Sequence, residues 1–191
     1  MSSILVKNIP NVYTILIVLY VAVFILDKLI FKDTLLEWAG GKSFNNMQDK
    51  EWYRLLTGSF FHQNILHLLG NAYGIYFVGI ILEDKIGSWK FLAIYLIGNI
   101  AAYIVYAIFS NYTEGTGASP GIYALIACII ILHLYNRDFL NLQFGNWPVN
   151  YTFAYLILGN LYGMGAFIIH ILGFSFGIII TLILLILRVL I

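Results

Sequence analysis

Ser119, His170, His67 and Asn71 are polar side chains set in stretches that are otherwise nearly all apolar, and their types suit acyl transfer. A serine hydroxyl attacks a carbonyl when a neighbouring base takes its proton. An imidazole, with an ordinary pKa of about 6.5, suits that transfer near neutral pH. Ser119 lies in GTGASPGIYAL, directly before Pro120 and an apolar run. This order predicts a helix whose N-cap is Ser119 and whose first helical position is Pro120. The hydroxyl would then sit where free N–H groups and the helix dipole favour an oxyanion. Tyr123 falls one turn later on the same face. His170, in GAFIIHILGFSFG, shares a face with Gly173 and Gly177. That small-xxx-small pair lets two helix backbones approach closely. If the partner is the helix of Ser119, hydroxyl and imidazole can meet. In FFHQNILHLLGNAYG, His67, Asn71 and Gly74 fall on one helical face, with His62 near the start of the same helix.

Taken singly, these residues have plainer uses. A serine in a Gly-Ala-Ser run commonly serves packing, and one intramembrane histidine commonly bonds a neighbouring helix. Their joint spacing is what favours chemistry. His133, near a loop end, reads as interfacial.

The elements that must position them are apolar runs of spanning length. They cover about Asn11–Phe31, Phe61–Leu82, Trp89–Phe109, Ser119 to just before Arg137, Pro148–Leu161 and Gly165–Leu187. The fifth is the weakest, being short and carrying Asn150, Thr152 and Asn160. The fold class expected is all-α: six transmembrane helices in one domain over residues 1–191, with no extra soluble domain. Hydrophobic residues make up 61% of the 191 and charged residues 10%, against about 45–50% and about 25% in soluble domains. Lipid must therefore be the main solvent, which makes the bilayer a partner. The N-terminal run is too long for a signal-peptide core and lacks a small-x-small cleavage pattern, so it reads as an uncleaved span.

Net charge is +1, which leaves no basic field for nucleic acid. The lone Cys128 allows no disulfide within the chain. The link from Lys32 to Thr57 is the most charged stretch and also holds Trp38, Phe44, Trp52 and Tyr53, so it reads as a structured loop in the membrane interface. Lys7, Lys85, Lys90, Arg137 and Arg188 gather on the side of the termini, whereas 110–118 and 162–164 have neither Lys nor Arg. The termini are therefore expected in the cytoplasm, with a water-filled cavity opening on the other side. The short fifth helix and the Tyr162–Phe167 loop are the expected movable gate.

These spacings resemble the rhomboid intramembrane serine proteases, over about Trp52–Gly177. The family's first-loop Arg appears as Arg54, its H-x4-H-x3-N as His62, His67 and Asn71, and its G-x-S-G as Gly117, Ala118, Ser119 and Pro120. The aromatic four residues after the serine is Tyr123, the H-x2-G-x3-G of the last helix is His170, Gly173 and Gly177, and the Glu ending the second span is Glu83. Two positions depart from the pattern. Tyr53 replaces the Trp of a Trp-Arg pair, and Pro120, which has no N–H, replaces the Gly after the nucleophile.

The resemblance implies a serine endopeptidase of a bacterial plasma membrane that cuts transmembrane helices of membrane-protein substrates and needs no cofactor or metal. Ser119 would be the nucleophile and His170 the general base. Asn71, His67 and the Ser119 backbone N–H would hold the oxyanion, and Tyr123 would pack on His170. The last span has no Asp or Glu, so a dyad is expected. Two readings compete with it: a catalytically silent relative that binds membrane helices, and a transporter or zinc-binding protein using His62, His67 and His170.

Overall fold

A computed structural model describes residues 11–190 apart from 49 and 113, and only the backbone of Tyr162. Lys7, counted in the charge bias above, lies outside the described residues. Every regular element among the described residues is helical. The longer ones are α1 (Val12–Ile25), which runs on as a wider π turn over Leu26–Ile30, α4 (Ile65–Ile86), α5 (Ser88–Phe109), α6 (Ser119–Tyr135), α8 (Trp147–Leu158) and α9 (Met164–Ile186). Short helices fill the connections: α2 (Thr34–Ala39), α3 (Arg54–Thr57) and α7 (Arg137–Leu140). A chain this apolar can satisfy its backbone inside lipid only by hydrogen bonds within each segment.

Four helical stretches, Val12–Ile30, Ile65–Ile86, Ser88–Phe109 and Met164–Ile186, are long and apolar enough to cross a membrane. The protein is an integral, multi-pass membrane protein. α6 has 17 residues and α8 has 12. At 1.5 Å per residue these reach about 25 Å and about 18 Å, short of a bilayer core of about 30 Å.

α6 is the axis of the bundle. Ser119 through Ile129 are all buried, and the helix packs against α4, α5 and above all α9. Small side chains permit this. A Cβ added at Gly173 would fall 2.7 Å from Pro120 Cα, and one at Gly177 would fall 2.8 Å from the Ala124 carbonyl carbon. The α9 glycines thus rest directly on the α6 backbone, as small-residue helix seams in membranes do. Beside that seam, Gly121 lies against the Tyr95 ring of α5.

Two carboxylates act as structural caps. Glu83, at the end of α4, accepts from Val12 N (2.8 Å), Tyr13 N (3.1 Å) and Ser88 Oγ (2.7 Å). It ties the first turn of α1 to the α4–α5 turn, where a carboxylate complements the dipole. Buried Asp27 accepts from Leu36 N at 2.9 Å and anchors α2.

The 32–57 link is ordered around Arg54, which is buried. Its Nη1 donates to Glu37 O and Gly40 O, both at 3.0 Å, and its Nη2 pairs with Glu51 at 2.5 Å. The link then braces the segment ahead of α6. Gly41 and Gly115 exchange two backbone hydrogen bonds (2.7 and 2.5 Å), and Gly117 N donates to Gly58 O (3.2 Å).

The structure corrects several boundaries. His62 does not lie in the second helix. Asn64 is the N-cap of α4, its side chain accepting from His67 N at 2.9 Å, so His62 precedes the helix. The fifth helix ends at Leu158 and tightens into a 3-10 turn over Gly159–Tyr162. α9 already starts at Met164, so the expected Tyr162–Phe167 loop shrinks to little more than Gly163. Ser119 is not an N-cap either. Ala118 caps α6, Ser119 is its first helical residue and Pro120 its second. The hydroxyl is engaged elsewhere.

Candidate active site

That engagement is with His170. Ser119 Oγ lies 2.8 Å from His170 Nε2, and both residues are buried. The contact follows from the helix seam, because glycines at 173 and 177 bring α9 onto α6 beside Ser119. The His170 ring is held flat against Tyr123, with centroids 4.2 Å apart and planes 11° from parallel. The Tyr123 hydroxyl in turn donates to Leu156 O of α8 at 3.1 Å. As the first residue of α6, Ser119 has a backbone N–H without an intrahelical partner.

Gly117 shapes the ground ahead of the serine. Its φ of +110° strains any L side chain, and a Cβ there would fall 2.6 Å from His67 Nε2 and 3.4 Å from Asn71 Nδ2. His67 and Asn71 therefore converge on the backbone two residues before Ser119. Tyr103, from α5, holds that backbone by donating to Gly117 O at 3.1 Å. Asn71 Oδ1 accepts from the Tyr155 hydroxyl of α8 at 2.8 Å. The Asn71 Nδ2 amide is buried with no partner. Gly74, one turn on, leaves room for the Tyr155 ring, which a Cβ would meet at 2.6 Å.

A cavity of about 340 Å³ reaches Ser119, His170, His67 and Asn71 from one end of the bundle, where α4, α6 and α9 begin. Gln63, Thr116 and Gly165 are among the residues at its walls. A cavity open at that end can admit water to groups that lipid would otherwise isolate.

Of the residues singled out in the sequence, Ser119, His170, Tyr123, Gly117, His67 and Asn71 come together. Gly173 and Gly177 form the seam that joins two of them. Arg54 and Glu83 are remote from the serine and organise the first loop and the start of α1. His62 is buried outside the cluster, with both ring nitrogens unpartnered, packed on Tyr20 and His67 (ring centroids 5.3 and 5.2 Å away). His133 is half-buried in the last turn of α6, away from this end. Among the described residues, no three His, Cys, Asp or Glu side chains gather as a metal cluster.

Three contributors went unrecognised in the sequence. Asn99, buried in α5, accepts from Gly121 N at 3.2 Å and donates to Ser59 Oγ, pinning the first turn of α6. Its signal was a lone amide in an apolar span. Tyr155 carries no signal beyond its type. Asn160 stood out as polar, but its place beside His170 Nδ1, with its Oδ1 at 3.1 Å, depends on the 3-10 turn.

A multi-pass helical bundle with a serine–histidine contact lining a cavity is the class that fold and site define. Comparison with known proteins supplies the family. Residues 49–187 match the Rhomboid domain, and the chain belongs to the rhomboid family. It is 36% identical over 98 residues to "Rhomboid protease GluP" of Bacillus subtilis (strain 168), covering 51% of this chain and 19% of that protein. It is 32% identical over 92 residues to "Putative rhomboid protease YdcA" of the same organism, covering 46% of this chain and 45% of the relative. It is also 26% identical over 142 residues, 70% of this chain and 40% of the relative, to "Inactive RHOMBOID-like protein 8" of Arabidopsis thaliana. The matched stretch thus spans less than half the length of each of these relatives.

Proposed function

We propose that the chain is an intramembrane serine endopeptidase with Ser119 as nucleophile and His170 as general base. The observation that carries this reading is the 2.8 Å contact between Ser119 Oγ and His170 Nε2 at the floor of the cavity. His170 Nε2 takes the hydroxyl proton as Oγ bonds to the scissile carbonyl carbon, and later returns it to the leaving amine. The developing oxyanion is received by the Ser119 backbone N–H, the His67 ring and the Asn71 amide. The unpartnered Asn71 Nδ2 supports that role. A buried amide donor left orphaned costs about 1–3 kcal/mol, which an entering acceptor removes. Pro120 contributes no donor, and none is required of it at the second position of α6.

In this reading the six longer helices each cross the bilayer as a single domain. α6 and α8 are shorter than the bilayer core because α6 is surrounded by protein and α8 flanks the cavity. The termini lie in the cytoplasm of a bacterial cell, the 32–57 link lies in the interface, and the cavity opens outward. Substrates are transmembrane helices of other membrane proteins. Such a helix must unwind near the cavity before its carbonyls are reachable, because its backbone groups are bonded internally.

The relative named as inactive keeps a non-catalytic, helix-binding reading in play, and one experiment separates the two. In liposomes holding a generic transmembrane substrate, wild type cleaves while Ser119→Ala and His170→Ala do not. Equal product from all three removes the protease reading of this pair. No product from any of them, with the substrate still captured, favours the binder.

A further inference from the structure

No acidic side chain orients His170 from its own helix, but a neutral amide reaches it from another segment. Asn160 belongs to the 3-10 turn Gly159–Tyr162 that follows α8. Its Oδ1 lies 3.1 Å from His170 Nδ1, and its Nδ2 donates to Leu156 O at 2.7 Å. A backbone carbonyl only accepts, so the Leu156 bond determines which end of the amide is which. The NH2 faces Leu156 and the oxygen faces the imidazole. An oxygen in that place requires the proton on Nδ1. Nε2 is then the bare nitrogen, and it faces Ser119 Oγ at 2.8 Å. The other tautomer would set two lone pairs against each other at Nδ1 and would donate to the serine instead of accepting from it.

We propose that Asn160 is a positioning residue that selects the Nδ1–H tautomer of His170, so that serine, histidine and asparagine form a relay. The inference rests on the reading of Ser119 and His170 given above. Tyr123 cannot do this work, because a stacked ring presents the same face to both tautomers, whereas an in-plane acceptor distinguishes them. When Oγ bonds to the substrate carbonyl carbon, its proton moves to Nε2 and the imidazole becomes positively charged. The Nδ1–H bond to Asn160 then becomes charge-assisted and strengthens. Asn160 itself neither gains nor loses a proton. Because it sits on the turn joining α8 to α9, the base keeps its orientation only while that turn stays packed on α9.

The test uses the full chain in liposomes with a transmembrane substrate, comparing wild type, Ser119→Ala, Asn160→Ala and Asn160→Asp. Cleavage by wild type and none by Ser119→Ala establishes the parent reading. Asn160→Ala then lowers kcat by about ten- to a hundredfold, the range for losing a hydrogen bond to a group that becomes charged, and leaves KM within about twofold. Asn160→Asp keeps an acceptor oxygen and restores kcat at least about fivefold over Asn160→Ala. In 15N-histidine-labelled wild type, with the signal assigned by its loss in His170→Ala, the neutral His170 ring carries its proton on Nδ1. A wild-type kcat in Asn160→Ala, a raised KM with no recovery in Asn160→Asp, or a proton on Nε2 would overturn the inference while leaving the protease reading intact. Equal cleavage by wild type and Ser119→Ala would instead sink the parent reading and this inference with it.

Discussion

The two flanks of α6 are built differently. Toward α9, contact is backbone on backbone: Gly173 lies on Pro120 and Gly177 on Ala124, with no room for even one methyl group. Toward α8, contact is sparse and made by side chains: the Tyr123 hydroxyl donates to Leu156 O and its ring meets that of Tyr155, whose own hydroxyl reaches past α6 to Asn71 Oδ1 of α4, while Ile157 and Leu158 stay exposed. Packed glycine seams are bistable or rigid, whereas a few hydrogen bonds can be broken and remade at modest cost. The first flank places Ser119 and His170, the proposed nucleophile and base. The second holds groups that steady them, and with so few bonds it is the side proposed to move.

The sharpest way to break this contrast is to load each flank in turn. Gly173→Val drives two methyl groups into the α6 backbone. Overpacking costs about 1–3 kcal/mol, and a shift of about 1 Å at a reacting pair costs about a hundredfold in rate. Activity should fall at least that far, with a lower unfolding temperature in detergent. Leu158→Ala, on the exposed face of α8, should change stability by no more than about 0.5 kcal/mol. Comparable losses in the two variants would erase the distinction between the flanks.

Next in size is Asn71→Ala, which removes one of the proposed oxyanion donors. Its kcat should fall about a hundred- to a thousandfold while the fold is kept. A wild-type rate would remove Asn71 from the site. Tyr155→Phe deletes only the hydroxyl that holds Asn71 Oδ1. One neutral hydrogen bond is worth about 1 kcal/mol, so kcat should fall about fivefold. If Tyr155→Phe were as damaging as Asn71→Ala, α8 would be part of the rigid frame rather than the movable side.

How much of this was legible in the sequence differs residue by residue. The apolar runs marked the helices because length is what a bilayer demands. The Ser119, His170, Asn71 and glycine spacings marked the seam because each lies on a helix with a fixed period. Periodicity could not locate Asn99 or Tyr155, since helices apolar on every face give no amphipathic contrast to show which side meets protein. Asn160 was visible as a polar residue, but its partner is chosen by a tight turn that sequence spacing does not specify. The start of α6 was misread by one residue because a serine before proline imitates a cap, while here its hydroxyl bonds to His170 instead.

The smallest predicted effect lies in the first loop, outside the longer helices. Arg54 beside Glu51 holds that carboxyl down at about 2, against an ordinary 4.5. A depressed carboxyl contributes stability above its unfolded pKa and loses it as pH falls through the folded one. The fluorescence of Trp38 and Trp52 should therefore be steady above about pH 5 and report a slight loosening of the first loop as pH falls toward about 2. Glu51→Gln should abolish that dependence without altering cleavage at neutral pH, because the Arg54 bonds to Glu37 O and Gly40 O remain. A large activity loss in Glu51→Gln would place the loop in the rigid frame.

The central claim concerns a single oxygen atom, and covalent labelling reads it directly. The full chain in liposomes, treated with a fluorophosphonate and mapped by peptide mass spectrometry, should carry one adduct, on Ser119, and that adduct should vanish in His170→Ala. An adduct on another serine, or none at all while substrate is still being cleaved, would contradict the account.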